Sequence, residues 1–180
     1  MLDFHLILSL ISILIAWKWG DWRNWKLYYP TILYFIIGDL CYIILSNDKP
    51  LWKYESPVFS SDFIECLIAF IVFPCSCLVF FQIYAKVNKI KIKIKWKGIA
   101  YTLFFLFGSS IYTFAEWLSF KLGSISYHNG WNLYWSFGFN YITNGLLLLH
   151  FKKPLWVWIP SIFFASLMIY LFHFPFTIFK

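Results

Sequence analysis

Apolar residues run through this chain in six long blocks separated by short polar interruptions. The alternation of a half-buried strand does not organise them. The blocks cover residues 2–19, 27–45, 63–84, 98–120, 131–150 and 154–174. Each is close to the roughly 20 residues that a helix needs to cross a hydrocarbon core of about 30 Å. Lipid offers the backbone no water to bond, so a crossing segment must be a helix or part of a closed barrel, and unbroken apolar runs lack a barrel's alternation. The pattern predicts an all-α integral membrane protein, a six-helix transmembrane bundle built from residues 1–180 as a single domain. The longest connection, residues 46–62, is too short to fold as a soluble domain.

The first block has to be told apart from a cleaved signal peptide. It opens Met1-Leu2-Asp3-Phe4-His5 with no basic residue, and no Ala-x-Ala site precedes Lys18. It is therefore expected to remain as a membrane helix. Pro74 and Pro160 are placed to kink the third and sixth helices and to free carbonyls toward a cavity.

Composition agrees with the pattern. Of the 180 residues 61% are hydrophobic, 25% aromatic and 13% charged, whereas soluble domains carry about 25% charged residues. A soluble globule of this size cannot hide so much apolar surface. The net charge of +7 raises the question of nucleic acid, but the lysines sit between apolar blocks and form no basic face, so no nucleic-acid partner is expected. Cys41, Cys66, Cys75 and Cys77 lie inside apolar runs without metal-knuckle spacing and read as small packing residues.

Charge also sets the orientation. Lys18, Arg23, Lys26, the lysines from Lys86 to Lys97, Lys152 and Lys153 follow blocks one, three and five, which is eleven of the 15 basic residues. The opposite side has Lys49, Lys53, Lys121 and Lys180. The positive-inside rule places the first group in the cytoplasm and both termini outside. The run KIKIKIKWK (Lys89–Lys97) alternates like a strand, yet beside an anionic leaflet its expected role is electrostatic, so the Lys86–Lys97 loop is the predicted contact with anionic lipid.

Ionisable side chains inside membrane segments are costly and mark functional sites by default. There are three. Asp39 lies roughly 9 Å before the outer end of the second helix at about 1.5 Å per residue. Glu65 falls in the first turn of the third helix and Glu116 near the end of the fourth, so all three belong to the outer half. The fourth helix carries Ser109, Tyr112, Thr113 and Glu116 on one face, and the fifth carries Asn132, Ser136, Asn140 and Thr143, with Asn144 at the margin. For the hydroxyls and amides the expected role is bonding the two helices together. The connection between them reads YHNGWN (Tyr127–Asn132), in which Asn129-Gly130 predicts a turn that holds His128 near the helix ends. His5, His128 and His173 share that side with the glutamates, but no HExxH-like spacing supports a metal centre, and no cofactor is expected. His150 is expected at the inner interface.

The segments GDLCYIIL (Gly38–Leu45), FIECLIAFIVFPC (Phe63–Cys75), AEW (Ala115–Trp117), YHNGWNLYWS (Tyr127–Ser136) and LHFKKP (Leu149–Pro154) resemble an uncharacterised family of small multi-pass membrane proteins of spore-forming Gram-positive bacteria. The resemblance implies a bacterial plasma membrane and a shared site at Asp39, Glu65, Glu116, His128 and Asn132. It supplies no activity.

Three functions compete. In the first, an outward-facing polar pocket binds a cation, proton or small polar ligand, with Asp39 and Glu116 carrying charge and His128, Asn132 and Asn140 coordinating or relaying. In the second, an intramembrane enzyme acts on a lipid-like substrate, with His128 and one glutamate as acid and base. In the third, the chain is an assembly subunit that docks another membrane protein or a second copy of itself.

Overall fold

The computed structural model describes residues 3–90 and 94–174. Six helices occupy the six apolar blocks: α1 (Phe4–Trp19), α2 (Trp25–Ser46), α3 (Ser61–Lys89), α4 (Ile94–Lys121), α5 (Leu133–Lys152) and α6 (Trp158–Phe172). Polar residues start them: Asp3 accepts from His5 N, Ser60 from Phe63 N, and Asn132 from Tyr134 N and Trp135 N. Helices α2, α3 and α4 are long and apolar enough to cross a membrane. At 16 and 15 residues, α1 and α6 are shorter than the sequence blocks suggested.

The block at 154–174 loses its beginning to a turn, and α6 starts only at Trp158. Pro160 consequently sits in the first turn, where its missing N–H leaves no helical bond broken, and the expected kink has no cause. Pro74 behaves differently. A π-turn over Ile68–Val72 immediately precedes it inside α3 and takes up the register that the proline interrupts. Of the basic run, Lys91 and Lys93 lie outside the described residues, and from Ile94 onward the chain is already helical in α4.

One element departs from the all-α expectation. The α2–α3 and α4–α5 connections pair as an antiparallel ladder of β1 (Trp52–Tyr54) with β2 (Ile125–Tyr127), in the register Trp52 to Tyr127, Lys53 to Ser126 and Tyr54 to Ile125. Backbone bonds from Glu55 N to Ser124 O and from His128 N to Leu51 O extend it at both ends. Three-residue strands are too short to leave a periodic signal in a sequence.

The ladder marks one end of the bundle. Asp3 and His5 at the start of α1 reach Ser56 and Ser124 beside it, and Phe172 at the end of α6 packs with Leu51 and Trp131 beneath it. At the opposite end Asp21 N donates to Leu78 O, and Lys152 Nζ lies over the rings of Tyr84 and Tyr101. Gly20 closes α1 there because a Cβ would stand 2.5 Å from the Ala16 carbonyl oxygen and 3.2 Å from Leu78 Cβ.

The distribution of side chains is the reverse of a water-soluble protein's. Trp17 is 79% exposed, and Leu14, Leu103, Phe114 and Phe163 also face outward, whereas Thr31, Ser109, Ser136 and Asn144 are buried. That arrangement is favourable for helices in hydrocarbon, where buried polar atoms find partners inside. Several hydroxyls bond their own helix, as Ser9 does to His5 O and Ser109 to Phe105 O. The apolar core joins α2, α3, α4 and α5 around Phe81, whose ring stacks on Tyr28 at 4.7 Å. His150, expected at an interface, is instead buried among helices: its Nδ1 is 2.9 Å from Thr31 Oγ1, and its ring stacks on Tyr34. Cys75 and Cys77 pack inside as expected, while Cys41 and Cys66 are exposed.

Candidate functional site

The ladder decides which groups face the helix ends and which face away, because successive strand side chains point to opposite faces. Tyr54 and its partner Ile125 share a face with the pair Trp52 and Tyr127, and Ile125 on that face is buried. Lys53, Ser126, Glu55 and His128 fall on the other face.

Three acids lie within electrostatic reach of Tyr54. Burial, then the charges of Asp39, Glu116 and Glu65, hold the Tyr54 hydroxyl well above the ordinary phenol range. This one phenol therefore sits in the field of all three carboxylates. The three come from α2, α4 and α3, and the tyrosine from β1, so four elements build the site. Asp39 and Glu65 also repel each other across α2 and α3. None of the three acids has a lysine or arginine partner within ion-pair distance among the described residues, and Asp39 has no hydrogen bond there either.

Glu116 is held by a relay. Trp131 Nε1 donates to Ser136 Oγ at 2.8 Å, and Ser136 Oγ donates to Glu116 Oε1 at 2.5 Å. The hydroxyl of Tyr127 lies buried beside Glu116 and Ser136 without a well-formed hydrogen bond to either. Burial and the Glu116 charge push that phenol far above its usual range. On the α1 side, His5 is buried, its Nε2 is 3.0 Å from Ser124 O, and its ring meets Tyr54 edge-on at 5.3 Å. With Nε2–H donated to that carbonyl, Nδ1 is left buried and unpartnered among the described residues.

Below this level α4 and α5 zip together. Glu116 meets Ser136, Thr113 meets Asn140 at 3.5 Å, and Ser109 meets Asn144 at 3.2 Å, one pair per helical turn in antiparallel register. Gly108 gives Asn144 room, since a Cβ there would stand 3.3 Å from Asn144 Nδ2. Tyr112 leaves this seam and donates to Ser76 of α3.

The sequence candidates thus separate. Asp39, Glu65 and Glu116 share one electrostatic environment at the ladder end. Asn140 belongs to the α4–α5 seam. Asn132 caps α5, with Oδ1 3.0 Å from Tyr134 N and 3.2 Å from Trp135 N. His128 is exposed, 2.9 Å from Ser126 Oγ, which itself bonds Glu55. The structure does not bring His128 or Asn132 to the acids. Asn129 and Gly130 adopt the positive φ values, 53° and 84°, that the turn requires. Sequence reasoning passed over Tyr54, Tyr127 and Trp131 as site residues. Tyr127 and Trp131 stand in the YHNGWN motif, whereas Tyr54 carries no signal of its own in the sequence.

Among the described residues no three His, Cys, Asp or Glu side chains come together in a geometry that would hold a metal ion. Fold and site together define a helical protein with three helices of membrane length and, at its two-stranded cap, a tyrosine in the field of three carboxylates that have no basic partner among the described residues. No known protein family, no curated protein and no solved structure matches the chain.

Proposed function

We propose that this chain is a six-span protein of a bacterial plasma membrane, with both termini and the strand cap outside, and that its carboxylate cluster takes up and releases a proton or small cation from that side. The observation that carries the reading is the meeting of Asp39, Glu65 and Glu116 around Tyr54 without a basic partner among the described residues. Carboxyl groups stripped of water and of counter-charge hold protons more tightly than in solution, and like-charge neighbours strengthen the effect. The relay from Trp131 through Ser136 holds the Glu116 carboxyl in one orientation. A proton is favoured over a multivalent ion because the carboxylates do not assemble with other ligating side chains into a metal-binding set among the described residues.

The lipid-modifying reading needs His128 and a glutamate within hydrogen-bond reach of one substrate. His128 on the exposed face of the ladder does not favour it. The test is proton uptake by the purified protein in liposomes, followed with a pH-sensitive dye after acid and alkaline jumps. Parent protein is expected to take up protons near neutrality in excess of the Asp39→Asn/Glu116→Gln variant, with both melting cooperatively in detergent. Equal uptake by a folded double variant would refute the proposal.

A further inference from the structure

The end of the bundle opposite the strand cap carries a surface that the carboxylate cluster does not explain. Four tryptophans crowd into residues 17–25, and Trp17, Trp19, Trp22 and Trp25 are all exposed. They alternate with basic residues. Lys18 Nζ lies 4.7 Å from the Trp19 ring and Lys26 Nζ lies 6.0 Å from the Trp25 ring, and Arg23 is exposed among them. The acid in the segment, Asp21, is engaged: Asn24 Nδ2 donates to it at 2.8 Å and Tyr28 Oη at 2.7 Å. Lys18, Arg23 and Lys26 outnumber that acid, so the rim is net positive.

Two adjoining open recesses, about 260 and 720 Å³, lie here, the first between Trp17 and Trp22 and the second lined by Leu14, Trp17 and Lys18. Trp22 is set in place by Nε1 donating to Ala16 O at 2.6 Å, which stands the indole at the mouth of the recess. Leading into it, Leu10, Leu14 and Trp17 recur at i, i+4 and i+7, so they form one exposed apolar rail along α1. Lys18 lies about 6 Å beyond Leu14 along the helix axis. An apolar rail that ends at an indole-lined, cationic mouth matches an amphiphile with a negative head.

We infer that this surface is a binding site for an anionic phospholipid, with one acyl chain along Leu10, Leu14 and Trp17 and the phosphate head at Lys18 and Arg23. Indole rings suit the headgroup level because one edge is apolar and the N–H is polar, and basic residues beside an anionic leaflet strengthen the attachment. The site does not depend on the carboxylate reading, and Lys89 adds its positive charge beside Asp21.

Native mass spectrometry of the full chain, titrated with phosphatidylglycerol and with phosphatidylcholine of the same acyl chains, tests it. Phosphatidylglycerol is expected to bind the parent more tightly than phosphatidylcholine, and Lys18→Gln/Arg23→Gln to weaken it about thirtyfold, at the strength expected for two basic residues near the surface. Lys53→Gln/Lys121→Gln, exposed at the strand-cap end, is expected to leave binding unchanged. Trp17→Ala is expected to weaken both lipids equally. Inorganic phosphate added alone is expected not to compete. Equal binding of the two lipids, an unaffected Lys18→Gln/Arg23→Gln variant, loss of binding in Lys53→Gln/Lys121→Gln, or displacement by inorganic phosphate would each overturn the assignment. If the double variant does not fold, Lys18→Gln alone is read in the same way.

Discussion

Asn144 Nδ2 donates to Ser109 Oγ at 3.2 Å, with both side chains shut inside the contact of α4 and α5. Ser109 in turn donates to Phe105 O, so hydroxyl and amide satisfy one another at the deepest step of the α4–α5 seam. Interhelical bonds of this kind are worth about 0.6 to 2 kcal/mol, because the separated helices also find partners. A double-mutant cycle of Ser109→Ala with Asn144→Ala, read by thermal melting in detergent, is expected to give a coupling of that size. Additive losses would show that the two groups do not interact.

Ser136→Ala is expected to cost about 1 to 3 kcal/mol, since it removes the donor to Glu116 and strands the Trp131 indole N–H in one step. Trp131→Phe removes only the first link and is expected to cost less through hydrogen bonding. Reversible denaturant titration of both variants checks the order.

Tyr127→Phe is expected to go the other way. Its hydroxyl is buried with no hydrogen-bond partner among the described residues, and removing an unsatisfied group restores about 1 to 3 kcal/mol of desolvation cost. An unchanged or raised melting temperature agrees with this. A fall comparable to that of Ser136→Ala would show that the hydroxyl is in fact bonded.

Gly20→Ala is expected to destabilise by about 1 to 3 kcal/mol, the usual cost of overpacking, because the new Cβ would meet the Ala16 carbonyl oxygen at 2.5 Å. Backbone at that position cannot swing away as a side chain would. Gly38→Ala, where a Cβ meets nothing within 4 Å, is the matched control in the same melting experiment.

The anchorage of α1 is expected to be acid-labile. Burial pushes the Asp3 carboxyl up, but the hydrogen bonds from Ser56 and from the His5 amide outweigh it and hold Asp3 below its ordinary value of 3.8. A carboxyl depressed in the folded state stabilises fully above its unfolded pKa, and that contribution disappears as pH falls through the lower, folded one. Between pH 7 and 5 the start of α1 should therefore stay fastened to Ser56, and it should loosen only below about pH 4. Pepsin cleavage near residues 3–9 across pH 5 to 2 reports the release. Asp3→Ala, which removes both acceptor oxygens, should be cleaved readily throughout that range.

Much of this architecture was legible because membrane-length helices are encoded locally. Each apolar block became a helix, and the i, i+4 spacing of Ser109, Thr113, Ser136 and Asn140 correctly brought one face of α4 against one face of α5. The reading faltered where a boundary depended on context. The first four residues of the last block fold as a turn, and Asn144, at the margin of the predicted strip, is buried as deeply as Ser136. His128 stood in a conspicuous motif, yet strand alternation turned it outward and put Tyr127 inward.

From its order of residues alone the chain declares its apolar rods, the uneven charge of their ends and the presence of three acids toward one side, because periodicity and hydropathy act over a few neighbouring positions. Tertiary structure alone decided that Tyr54 would stand among those acids and that His5 would reach Ser124 across 119 residues of sequence. Both depend on two short connections pairing edge to edge. That pairing is set by how the helices beneath them pack, and no local pattern in either connection encodes it.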